Sequence, residues 1–145
     1  EGADGRDRRA YAFPGLPESA AASPEPPMRV RILSPFDPAL RDRKRAERLF
    51  GFYYRIEVFV PEPKRQFGYY VFPVMEGSRL IGRIDAKCRR SEKTLYVSAF
   101  WPEKGIVMGK GRLDRLMAEL DRLGRFTDCP GLSFSDGWIR PAKEL

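Results

Sequence analysis

The residues best suited to chemistry in this sequence are cations set beside aromatic rings. From Pro61 to Tyr70 the order is Pro-Glu-Pro-Lys-Arg-Gln-Phe-Gly-Tyr-Tyr. Lys64 and Arg65 can neutralise phosphates, and an exposed ring such as Tyr69 can stack on or wedge between bases. Phe67, Tyr69 and Tyr70 cannot all face one way along a strand, so at least one is expected outward or under another domain. The competing reading is a polar hairpin whose rings belong to the core. A second basic set, Arg41, Lys44, Arg45 and Arg48, recurs at helical spacing and forms one stripe. It reads either as a phosphate-contacting face or as a solvated one. A third set, Arg83, Asp85 and Lys87, alternates in sign along a strand and suits salt bridging across a sheet. Asp42 and Arg43 fall toward the apolar side of their helix. Buried charge needs partners, so both are expected, with Asp85, in a structural polar network at the helix–sheet boundary.

Other chemistries lack their residues. The 145-residue chain has no His, which removes Ser-His and Cys-His nucleophile pairs and any His-ligated metal. Cys88 and Cys129 are far apart in sequence, too few for a Cys-only zinc site and no disulfide framework; they suit a reducing cytoplasm. Gly109-Lys110-Gly111-Arg112 lacks the spacing and the Ser/Thr of a phosphate-binding loop, though it could present amides to an anion at a helix start. No catalytic residue, metal ligand or cofactor is therefore assigned. The formal charge of +7 favours anionic partners such as nucleic acid. No apolar run approaches the roughly 20 residues that span a bilayer, so no membrane partner is expected. The first residues lack a basic start followed by an apolar stretch and so do not read as a secretory signal. A chain that begins with Glu1 rather than Met is expected to be a fragment or a trimmed protein.

The elements that must position these residues follow from periodicity. Residues 1–27 read as a polar lead-in broken by Pro14, Pro17, Pro24, Pro26 and Pro27, with a helical turn or two over Glu18 to Ser23. Met28 to Leu33 alternates and reads as a strand, with Met28 inward. Asp37 is an N-cap, Pro38 takes the first helical position and Gly51 follows Phe50 as a C-cap, marking one helix. Four strands are expected next: Tyr53–Val60, Phe67–Met75, Arg79–Cys88 and Thr94–Trp101. Glu76-Gly77-Ser78 and Arg89 to Lys93 are turns, and Pro73 marks a bulge or an edge. A second helix from Arg112 to Leu123 carries an apolar stripe, and Gly124 stops it. Phe134 and Trp138 could pin the tail to the body. The fold class is α+β: an antiparallel β-meander curling toward a small β-barrel, flanked by two α-helices. The domain reading is a lead-in over 1–27, a barrel-like domain over 28–126 and a tail over 127–145.

Several unusual words in fixed order carry a resemblance. They are Leu33-Ser34-Pro35-Phe36-Asp37-Pro38, Asp42-Arg43, Leu49-Phe50-Gly51-Phe52, Tyr54-Arg55-Ile56-Glu57, Pro61, Lys64-Arg65, Gly68-Tyr69-Tyr70, Pro73, and Gly82-Arg83-Ile84-Asp85 with Lys87. Over roughly residues 28 to 101 this resembles the AlkZ-like, or YcaQ-like, winged-helix DNA glycosylases of bacteria. The resemblance implies tandem winged-helix units followed by a C-terminal β-barrel. It also implies cleavage of the N-glycosidic bond of alkylated or crosslinked purines in double-stranded DNA. Its catalytic signature, a Gln, an apolar residue, then Gln or Asp, belongs to the N-terminal part. Gln66 is the sole Gln here and lies outside that pattern. The expectation is a C-terminal portion, inactive alone, that partners DNA and the winged-helix domains of its parent in the bacterial cytoplasm at the nucleoid.

Three functions compete. A DNA-binding module predicts a basic patch around Lys64, Arg65 and the first helix, with salt-sensitive binding. A scaffold that never touches DNA predicts exposed apolar surface on the Phe67–Met75 strand or the lead-in. An independent small hydrolase would need a concave pocket with convergent polar groups, and no nucleophile motif supports it.

Overall fold

The computed structural model describes residues 2–3, 5–7 and 9–143. Its element order is α1 (Leu16–Ala21), β1 (Val30–Ile32), α2 (Pro38–Arg41), α3 (Arg43–Phe50), β2 (Val71–Glu76), β3 (Arg79–Arg89), β4 (Thr94–Pro102), α4 (Lys110–Phe126) and β5 (Gly131–Phe134). The class is mixed α+β, a five-stranded curled sheet forming a half-barrel with four helices. The strands lie in chain order, β1 to β4 antiparallel and β5 parallel to β4 after the α4 crossover.

Two bulges curl the sheet. Val74 pairs with Gly82 but Met75 with Leu80, so Ile81 is the extra residue. Asp85 pairs with Ala99 but Ala86 with Val97, so Ser98 is the extra one. A bulged strand bends and twists more strongly. The first bulge also shifts the side-chain parity, which puts Ile81 and Ile84 in the same core. Gly82 is obligatory beside it, because a Cβ there would lie 2.5 Å from the Trp101 carbonyl oxygen.

Apolar residues fill both faces of the sheet. On one face Val30, Val74, Ile81, Ile84, Val97 and Phe100 pack with Leu116 and Leu120 of α4. Burying each of these aliphatic side chains stabilises the fold by about 1.5–3 kcal/mol. Phe134 and Trp138 close this side, their rings 4.7 Å apart, with Trp138 6.5 Å from Phe100. Elsewhere, Leu40, Ala46, Phe52, Tyr54 and Leu80 form a second cluster under α2 and α3. Val71, Ala99 and Trp101 form a third, with Phe67 packed against it.

The structure corrects several expectations. Residues 53–60 form no strand. Their alternation does bury Tyr54, but they pair with no strand, and the flanks of the neighbouring β2 and β4 are taken by β1 and β5. Side chains hold the segment instead. The Tyr54 hydroxyl donates to the Val71 carbonyl at 2.6 Å, and Arg65 Nε donates to the Val60 carbonyl at 2.9 Å. The following strand starts at Val71 rather than Phe67. The first helix is two helices. Asp37 caps α2 through the Ala39 N–H, and Asp42, in an extended conformation, caps α3 through the Arg45 N–H. Two capping carboxylates five positions apart make two starts, not one. Met28 is exposed and β1 begins at Val30. Gly124 does not stop α4; it lies inside the helix, where a Cβ would meet the Cys129 carbonyl oxygen at 2.6 Å. The final strand, β5, falls in the expected tail.

The supposed outward face of β3 is also corrected. Arg83 is 2% exposed, because the rings of Phe52 and Phe67 cover it. Its guanidinium lies 4.7 Å from the Phe52 ring and 4.3 Å from the Phe67 ring and pairs with Glu103 at 2.7 Å. No salt bridge runs from it to Asp85. Asp85 instead accepts the Ser98 hydroxyl at 2.7 Å, and Lys87 is exposed.

Candidate nucleic-acid interface

The basic turn and the segment before it form one structural unit, closed by Glu57. A single 3-10 turn over Glu62–Lys64, set by Pro61 and Pro63, reverses the chain. One Glu57 oxygen accepts the Gln66 N–H at 2.8 Å, and the other accepts those of Phe67 and Gly68 at 2.8 and 3.0 Å. Burial pushes the Glu57 carboxyl up, but the three backbone bonds and the Lys143 ammonium outweigh it and hold the group below the usual carboxylate range. Lys143 also donates to the Gln66 carbonyl and lies 5.0 Å from the Phe67 ring. Phe67 in turn meets Trp101 edge-on at 5.3 Å. The loop is thereby anchored to the sheet at both ends.

The anchored loop leaves cations and rings in solvent. Lys64 is exposed at the end of the 3-10 turn. Arg65 is half-buried, with its guanidinium 5.0 Å over the ring of Tyr69, which is 57% exposed. Such a stacked pair offers a planar cation and a flat ring together. Phe59, on the turn before Pro61, is 94% exposed. A cleft of about 340 Å³ runs between the two arms, lined by Tyr53, Arg55, Ile56, Glu57, Val60, Lys64 and Gln66. Arg55 stacks 4.3 Å over Tyr53 and pairs with Glu47 of α3 at 2.7 Å, which ties α3 to the cleft wall.

The helical stripe is dispersed by the break at Asp42. Arg41 belongs to α2, whereas Lys44, Arg45 and Arg48 belong to α3. Arg41, Lys44 and Arg45 are exposed; Arg45 folds back onto the Pro38 carbonyl, and Arg48 is half-buried. Asp42, Arg43 and Asp85 lie in three separate arrangements. Asp42 is an exposed cap, and Asp85 binds Ser98. Arg43 donates to the Leu40 and Pro35 carbonyls at 2.8 and 3.2 Å and lies 4.9 Å over the Tyr54 ring. Burial pushes the Tyr54 phenol up to about 12, against the pull of Arg43. Sequence reasoning missed Tyr53, Arg55, Phe59 and Lys143. The signal for the first three was present: each takes an outward position in the alternation from Tyr53 to Val60, and a ring on an outward position needs a reason.

A family model described as DNA glycosylase AlkZ-like matches residues 2–126. The chain belongs to the AlkZ-like DNA glycosylase family. DNA is the partner that membership indicates. The AlkZ-like match contains the whole 53–70 unit and α4, while β5 and Trp138 lie beyond it although they complete the sheet and its core. No solved structure matches the chain significantly. Among the described residues no helix is long and apolar enough to cross a membrane.

Proposed function

We propose that this chain is the non-catalytic, DNA-holding part of an AlkZ-like glycosylase acting on alkylated or crosslinked duplex DNA. In this reading it follows the winged-helix units of its parent and works in the bacterial cytoplasm, at the nucleoid. One observation carries it: the loop that Glu57 clamps presents Phe59, Tyr69 and Lys64 to solvent on a fixed frame. Cations near a duplex bind backbone phosphates with little regard to sequence, and a projecting ring can wedge at a distorted step. Excision of a base needs the nucleotide held while it leaves the stack, and that holding requires no chemistry from this unit.

Fluorescence anisotropy with a labelled duplex, titrated across salt concentrations, tests the proposal. Binding should weaken steeply with salt. Lys64→Ala should lower the slope of log K against log[salt] by about one. Phe59→Ala should weaken binding to a duplex with an unpaired step more than to an intact one. The proposal fails if the chain shows no salt-dependent affinity, or if Lys64→Ala and Arg65→Ala leave binding unchanged.

A second reading has its own observation. In the lead-in Tyr11 is 92% and Phe13 86% exposed, and α1 buries no residue of its own. Such rings suit a scaffold surface against other domains of the parent. A chain with no salt-dependent duplex affinity would favour it.

A further inference from the structure

The open edge of the sheet carries a second concentration of positive charge, separate from the 53–70 unit. A cleft of about 380 Å³ lies between β1 and α4, lined by Pro27, Met28, Arg29, Val30, Arg115, Ala118, Glu119 and Arg122. Arg31, on β1, is close enough that its charge and that of Arg29 both act on Arg122. Burial first, then these two cations, hold the Arg122 guanidinium below its usual range. Arg29 and Arg31 are exposed, and among the described residues neither forms an ion pair. The acids nearby are already engaged. Glu119 accepts the Ile32 N–H at 2.9 Å with one oxygen and pairs with Arg122 through the other. Glu76 is held by Arg112 at 2.8 Å and Arg115 at 2.6 Å. Five arginines therefore surround two buried carboxylates, and the excess charge faces solvent.

We propose that Arg29, Arg31, Arg115 and Arg122 form a second backbone-phosphate site, which holds duplex DNA away from the part gripped by the 53–70 loop. Guanidinium forks match phosphate oxygens in pairs, and Arg115 and Arg122, already held by Glu76 and Glu119, lose little freedom on binding. Glu119 sets the two walls of the cleft, because its bond to the edge strand ties α4 to β1. The sheet separates this site from the loop. Loop and cleft lie at opposite ends of β2, about 17 Å apart at the usual rise of a strand. The inference rests on the proposed role in holding DNA and adds a second surface to it.

The test is the same duplex titration on the full chain, comparing wild type, Lys64→Ala and the double variant Arg29→Ala/Arg31→Ala. Both arginines are exposed, so the double variant should keep its fold, which circular dichroism checks. Arg122 is left in place because removing it would strand buried Glu119. The salt slope of the double variant should fall by about two, and that loss should add to the loss from Lys64→Ala. If the wild type binds with a steep slope that Lys64→Ala lowers, while the double variant keeps the wild-type slope, the edge site is overturned and the loop's role stands. If the wild type does not bind duplex at all, both fall. If only the double variant loses slope, the edge site stands and the loop's role falls.

Discussion

Removing the Glu57 carboxylate should loosen the loop that the proposed interface is built on. It accepts three N–H groups at 2.8, 2.8 and 3.0 Å, from three consecutive residues. A hydrogen bond to a charged group contributes about 1.5–3 kcal/mol where water is excluded. Gln66 is exposed and Phe67 and Gly68 are half-buried, so water replaces much of what Glu57→Ala removes. The net cost should be about 2 kcal/mol, or ~4–8 °C in Tm for a chain of this size. Glu57→Gln, which keeps one acceptor oxygen, should cost less. The sign of the pH dependence follows from the depressed carboxyl. Its contribution is fully present above the ordinary value of 4.5 and is lost as pH falls through the lower folded value. The Tm gap between wild type and Glu57→Gln should therefore be widest above pH 4.5 and close in acid. Amide hydrogen exchange by NMR supplies the decisive reading, since Gln66, Phe67 and Gly68 should lose protection before the β3 and β4 amides do. Unchanged protection at these three residues in Glu57→Ala would refute the reasoning, whatever the Tm.

Two further predictions concern buried polar groups. Glu103→Ala strips the 2%-exposed Arg83 of its partner and should cost about 3 kcal/mol in urea unfolding, with part of it recovered in Arg83→Met/Glu103→Ala; a loss under 0.5 kcal/mol would mean that Arg83 finds water. Tyr54→Phe removes the hydroxyl bond to Val71 and should cost about 1 kcal/mol. In wild type, ultraviolet titration should show one tyrosine ionising only near pH 12, with stability falling as pH climbs from 10 through 12.

Periodicity was most informative where side-chain burial on a single face decides the structure. The two-residue turn at Gly77-Ser78, the long strand from Arg79, the strand from Thr94 and the apolar stripe of α4 all follow from local spacing and turn chemistry. It was least informative where a segment's fate depends on whether a sheet edge is free. Residues 53–60 alternate like a strand, yet the sides of β2 and β4 are taken by β1 and β5, one of which comes from the far end of the chain. Lys64, Arg65 and Tyr69 were legible as candidates from their types alone. Their common frame was not, because Glu57 reaches across nine to eleven residues to three backbone amides, and backbone donors leave no mark in a sequence.

The sequence by itself determined the family, the α+β class, the capped helix start at Asp37 and the surplus of positive charge, because each depends on residue type and short-range spacing. Tertiary structure alone decided which charges are buried and which are free. Arg83 is enclosed by rings that lie 31 and 16 positions away in the chain, whereas Arg29 and Arg31 gather beside Arg122 of α4 with no acid to spare for them. A guanidinium's partners are set by what the fold brings within a few ångströms, and over such separations that is a property of the packed molecule.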